Sequence, residues 1–100
     1  SIITNIDRKI DLEDVAQSTG LTMDELMDEL DAIVESGTKV NIDYYLEEAL
    51  DETVREEIYD YFMQSDTDDI KIAYKELREE EVTMEEIRLV RIKFLSEMAN

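Results

Sequence analysis

The sequence predicts an all-α fold, a bundle of five or six short helices in one domain spanning residues 1–100. Three observations carry that reading. Apolar residues recur at three- and four-residue steps, the period of a helix with one buried face. Several of these stripes open on a threonine or aspartate followed by acids, the signature of a capped helix start. The one stretch that alternates, Thr38 to Tyr44, would make a lone strand with nothing to pair with.

Ile2, Ile3 and Ile6 ahead of Asp7-Arg8-Lys9 suit a ragged first helix or the tail of a helix that begins earlier. Ser1 is not an initiator methionine, so a longer polypeptide, processing or a tag remnant is expected before it. Asp11 then caps a second helix, with Ile10 and Val15 at staple spacing and Leu12, Val15 and Ala16 facing inward. Gly20 ends it.

Leu21 to Ser36 is the strongest helix signal, and the chain reads as organised around it. Thr22 is the N-cap, Glu25 closes a capping box, and Leu21 and Leu26 form a staple. Met23, Leu26, Met27, Leu30, Ile33 and Val34 make the buried stripe, while Asp24, Glu25, Asp28, Glu29, Asp31 and Glu35 fill the other sectors. Gly37 stops the helix by taking the left-handed conformation. Ala16, Gly20, Leu21 and Leu26 have the spacing of a helix-turn-helix, placed at residues 11–36. In a DNA reader the second helix brings donors and positive charge to the major groove. Here it offers six acids and no Lys or Arg, so the motif reads as a packing unit.

Bridging helices are expected over residues 43–64. The first, capped by Asn41 or Asp43, carries Tyr44, Tyr45, Leu46, Ala49 and Leu50; the second restarts at Asp51-Glu52-Thr53 and carries Val54, Ile58, Tyr61 and Phe62. A second hairpin is expected over residues 67–98. Ile70, Ala73, Tyr74 and Leu77 make its first stripe, and Thr83 opens the last helix, where Ile87, Val90, Arg91, Phe94 and Met98 line up beside Leu89, Ile92 and Leu95. Leu21–Leu26 and Val82–Ile87 match position by position in chemical type. That echo marks either a structural repeat or two uses of one capping grammar.

A formal charge of -18, spread almost evenly over both halves, repels phosphate backbones and anionic membrane faces and favours a basic partner. No apolar run approaches the ~20 residues of a membrane span, and no signal-peptide pattern is present. An intracellular location is expected. Without histidine or cysteine the chain has no pH-7 imidazole shuttle, thiol chemistry or disulfide. Asp66, Asp68 and Asp69 are the best carboxylate cluster for a hard cation, but they lack the glycine and spacing of a calcium loop and read as helix caps. Both glycines sit at helix ends, so no phosphate loop exists. No catalytic, metal or cofactor site is expected. Tyr45 and Tyr59 lie off the cleanest stripes and, with Asp24, Asp28 and Asp31, are the candidate partner contacts. Arg88, Arg91 and Lys93, the strongest local basic run, are the candidate nucleic-acid patch.

Gly37 to Tyr45, Glu57 to Phe62 and Glu86 to Glu97 resemble the extreme C-terminal region of RecQ-family DNA helicases of Bacteroides-like bacteria. The resemblance covers about residues 7 to 100, with Asn100 resembling a natural chain end, and Leu12 to Ile33 is similar to the accessory helix-turn-helix after the helicase core. It implies an ATP-dependent 3′-to-5′ DNA-unwinding parent in recombination and repair, with ATP, Mg and Zn confined to upstream domains. None of that machinery's residues occurs here, and the basic surfaces of such helicases' accessory modules are missing.

The expected function is therefore a noncatalytic accessory module that docks on the upstream helicase core, a basic repair protein or another copy. A DNA-binding helix-turn-helix would need Arg55, Lys75, Arg78, Arg88, Arg91 and Lys93 in one exposed stripe. An acidic DNA mimic would need regularly spaced carboxylates along one face.

Overall fold

Seven α-helices and one 3₁₀ turn make up the regular structure of the computed structural model, which describes residues 1–99 and has no strand among them. Asn100, expected to be the chain end, lies outside the described residues. The count exceeds the expected five or six because the first helix is real: α1, Ile2–Asp7, is capped by the Ser1 hydroxyl and buries Ile6. Lys9 ends it in the left-handed region, at φ 60°.

α2, Leu12–Thr19, starts on Asp11, whose carboxylate accepts from the Glu13 N–H at 3.0 Å. Gly20, at φ 74°, closes it while Leu21 N–H reaches back to the Ala16 carbonyl at 2.8 Å. This six-to-one bond uses a carbonyl the helix itself leaves free. α3, Met23–Glu35, has the complete capping box between Thr22 and Glu25. α2 and α3 pack as the helix-turn-helix, with Leu12, Val15, Leu26, Met27 and Leu30 fully buried.

α4, Asp43–Ala49, follows an extended connection; its N-cap position is Ile42, and Asn41 instead accepts from the Asp43 N–H. α5, Glu52–Gln64, starts on Asp51 and buries Ile58 and Phe62. α6, Ile70–Glu76, is capped by Asp69, which accounts for that acid as helix chemistry. Tyr74, expected on the α6 stripe, faces solvent, and Ala73 and Leu77 make the buried contact. After the 3₁₀ turn Arg78–Glu80, Glu81 takes the left-handed conformation at φ 56° and α7, Met84–Met98, begins with a second complete capping box, Thr83 with Glu86. The echo thus extends to the backbone: Glu81, Val82 and Thr83 do at α7 what Gly20, Leu21 and Thr22 do at α3.

The organising element is α7, not α3. It packs against α3, α4, α5 and α6, burying Ile87, Leu89, Val90, Ile92 and Ser96 in several sectors. A helix apolar on one stripe sits at the edge of a core; one apolar over most of its circumference sits inside it. Phe94 stacks on Phe62 of α5, with ring centroids 5.5 Å apart, and takes the Tyr59 ring edge-on at 6.1 Å. Ser96, the one buried polar residue among those described, bonds through its hydroxyl to both backbone groups of Val40 and fixes the α3–α4 connection to α7.

Candidate interaction surface

The acids of α3 and the arginines of α7 meet along one seam. Arg88 donates through Nη2 to Asp28 Oδ1 at 2.7 Å and Asp31 Oδ2 at 2.9 Å. One turn on, Arg91 Nη2 donates to Glu35 at 3.2 Å and to Asp68 at 3.1 Å, Nη1 lies 3.6 Å from Asp31 Oδ1, and Nε donates to the Asp68 carbonyl. The register advances in the same direction on both helices, so α3 and α7 run side by side in the same sense. Asp31 Oδ1 is buried without a hydrogen bond and is held by the Arg91 charge alone.

This seam is more than a surface ornament. The side chains of Arg88, Arg91 and Asp31 are 17%, 11% and 21% exposed, so water screens them weakly and each charge depends on its partner. Burial works against the Arg88 charge, but its bonds to Asp31 and Asp28 outweigh it and raise its pKa. Asp28 stays largely open to solvent, and Asp24, Glu25 and Glu29 face outward beside it.

Lys93 sits on another side of α7. Its Nζ donates to Asp43 of α4 at 2.7 Å and to Glu97 at 2.8 Å, and lies 5.7 Å from the centre of the Tyr59 ring. Burial opposes its charge, but the two carboxylates raise its pKa. Glu97 is pushed up by burial, yet bonds from Lys93 and the Tyr59 hydroxyl hold it below the ordinary carboxylate value. Tyr59 is raised, first by its bond to Glu97 and then by burial.

The structure therefore brings Asp28 and Asp31 together with Arg88, and Tyr59 together with Lys93. It leaves Asp24 apart at the exposed start of α3. Tyr45 is buried on α4, its hydroxyl donating to Glu13 of α2 at 2.9 Å, while neighbouring Tyr44 donates to the Ile10 carbonyl. These two tyrosines tie α4 to the helix-turn-helix. Four of the six cations needed for a DNA-reading stripe are turned to partners within the chain: Arg88 and Arg91 face α3, Lys93 faces Asp43 and Glu97, and Arg55 Nε bonds to the Leu50 carbonyl. Sequence reasoning missed Glu13, Asp43, Glu97 and Ser96. Each makes a contact across at least 32 positions, which no local pattern reveals, although the Lys93–Glu97 pair is itself local.

Among the described residues no group of three or more Asp or Glu side chains is arranged to hold a metal ion. No described helix is long and apolar enough to cross a membrane. Two open clefts share Asp43 and Lys93: one of about 380 Å³ beside Lys39, Asn41 and Glu97, the other of about 220 Å³ between α4 and α5.

Compared with known families, residues 1–46 match the one described as "RecQ-1-like, helix-turn-helix domain". The match takes in α1, α2 and α3, ends inside α4 just past Tyr44 and Tyr45, and leaves α5 to α7 outside it. No curated protein matches the chain.

Proposed function

We propose that this chain is a noncatalytic accessory module of a RecQ-like DNA helicase, docking on the parent's motor or on a basic repair protein in the bacterial cytoplasm. The similarity of residues 1–46 to a RecQ-1-like helix-turn-helix supports the helicase setting. ATP, Mg and Zn belong to the parent's upstream domains in this reading.

The single observation that carries the docking role is the direction of Arg88 and Arg91. Both turn inward onto Asp28, Asp31 and Glu35, so the second helix of the helix-turn-helix presents carboxylates to solvent and no free cation. Phosphate backbones are repelled by such a face, whereas a basic protein surface is drawn to it.

The test is binding of the labelled chain to single-stranded and forked DNA, and separately to a RecQ-family motor fragment, at low and moderate salt. Binding to the motor with DNA ignored is the expected result. Tight DNA binding that falls steeply with salt would instead favour a DNA-reading helix-turn-helix.

A further inference from the structure

The outer face of α6 carries charge of the opposite sign to most of the molecule. Lys71, Tyr74, Lys75 and Arg78 follow one another at steps that place them on one face of α6 and the 3₁₀ turn that continues it. All four are exposed, and no carboxylate falls between them on that face. Lys71 and Lys75 are in no ion pair among the described residues, and Arg78 has only the open carboxylate of Glu79 at 4.0 Å. Glu76 and Glu80 turn to the other flank, where they line clefts against Tyr61 and Gln64 of α5. Tyr74 and Ile72 are 46% and 45% exposed, so the stripe has uncovered apolar area as well as charge.

The first hairpin shows what such a face receives. Glu81 stands before α7 as Gly20 stands before α3, which sets Lys71 and Tyr74 level with Ile10 and Glu13. Buried Leu12 and Ala16 then correspond to buried Ala73 and Leu77, which supports the register. At the first hairpin this face holds α4: Tyr44 donates to the Ile10 carbonyl and Tyr45 to the Glu13 carboxylate. α4 is itself an acidic helix, with Asp43, Glu47 and Glu48 beside its two tyrosines. At the second hairpin the corresponding face is open, and Lys75 and Arg78 stand where Asp14 and Gln17 stand in the first.

We propose that the open face of α6 docks an acidic amphipathic helix of a protein partner, laid on it as α4 lies on α2. Carboxylates one turn apart on that helix meet Lys71, Lys75 and Arg78, and an apolar residue beside them packs on Tyr74 and Ile72. The three cations span two turns, about 10 Å at a rise of about 1.5 Å per residue, so carboxylates at the same helical steps match them. A helix is favoured over a phosphate backbone because Glu76, Glu79 and Glu80 flank the stripe and repel an unbroken row of phosphates, whereas carboxylates on one helix face reach the stripe alone. The inference goes beyond the docking role above, which uses the acidic face of α3 and a basic partner, and stands without it.

The test titrates the isotopically labelled full chain with a synthetic peptide of residues 41–51, blocked at both ends, which carries Asp43, Glu47, Glu48 and Asp51 beside the two tyrosines. Salt is set at about 0.15 M, where repulsion from distant carboxylates is screened. Saturable NMR shifts centred on Lys71, Ile72, Tyr74, Lys75 and Arg78 are expected. Binding should weaken about tenfold in the K71E/K75E variant, in which two attractions become repulsions, and as much for a peptide whose four carboxylates are converted to amides. Both lysines are exposed, so the variant keeps its fold, and its unchanged spectrum away from α6 checks this. Absent shifts, or shifts that persist in the variant, would overturn the proposal. Shifts at Ile10 and Glu13 instead would show the peptide competing with α4 and overturn it too. Equal or tighter binding of an oligothymidine at the stripe would make it a nucleic-acid contact in place of a helix dock.

Discussion

The Ser96 hydroxyl donates to the Val40 carbonyl at 2.7 Å and accepts from the Val40 N–H at 2.8 Å, closing a contact across 56 positions. Both residues are buried at the edge of the larger cleft, so water has little access to either backbone group. Ser96→Ala orphans a donor and an acceptor at once, and the expected loss is about 2–4 kcal/mol at roughly 1–3 kcal/mol per unsatisfied group. Urea unfolding of the variant checks it; an unchanged midpoint would mean that water enters the site.

Arg88 and Arg91 share Asp31, so their contributions should not add. Removing Arg91 alone strands Asp31 Oδ1 and loosens Glu35 and Asp68, with an expected cost of about 2–3 kcal/mol, below the range for fully buried pairs. A double-mutant cycle with Arg88→Ala and Arg91→Ala, read by denaturant unfolding, should show a coupling of at least about 0.5 kcal/mol. Strict additivity would show that the two arginines act on α3 independently.

Stability should fall in alkali. Burial, and then the bond to Glu13 and its charge, push the Tyr45 hydroxyl well above the usual tyrosine value, and burial also raises Tyr44. In the unfolded chain a tyrosine loses its proton near pH ~10, while the folded protein retains it. The folded state then binds more protons, so this stabilisation is complete below about pH 10 and is lost as pH rises toward the folded values. Unfolding midpoints should decline above about pH 10, and less steeply in Tyr45→Phe. An identical slope in the variant would assign the decline to other groups.

Lys9 and Gly20 hold the same kind of helix end at φ 60° and 74° with opposite suitability. A Cβ at Gly20 would meet no atom within 4 Å, so Gly20→Ala tests backbone conformation alone and should cost about 1 kcal/mol. Lys9→Gly should do the reverse and raise the melting temperature by a few degrees, roughly what a fraction of a kcal/mol gives in a domain this size. Thermal unfolding followed by circular dichroism reads both; a loss in Lys9→Gly would mean that its flexible unfolded state outweighs the relieved strain.

Much of the fold was legible because helix ends are local. Thr22 with Glu25, Thr83 with Glu86, Asp11, Asp51 and Gly37 each act within a few residues, and the sequence displays those few residues together. The central place of α7 was half legible: Leu89, Ile92 and Leu95 widened its apolar sector, a sign of burial outweighed by the cleaner amphipathic stripe of α3. The seam was not legible. An arginine on an apolar line and an aspartate on an acidic face look unrelated until two helices 60 positions apart are laid side by side.

The position of α7 also bears on the order in which the protein is made. Every helix that α7 covers precedes it in the sequence, so a growing chain exposes the inner faces of α3, α4, α5 and α6 before their common partner emerges from the ribosome. Exposed apolar faces on unfinished chains invite aggregation. The same carboxylates that later ring the finished fold are already present on those early helices, and their mutual repulsion keeps nascent chains apart until α7 arrives to close them.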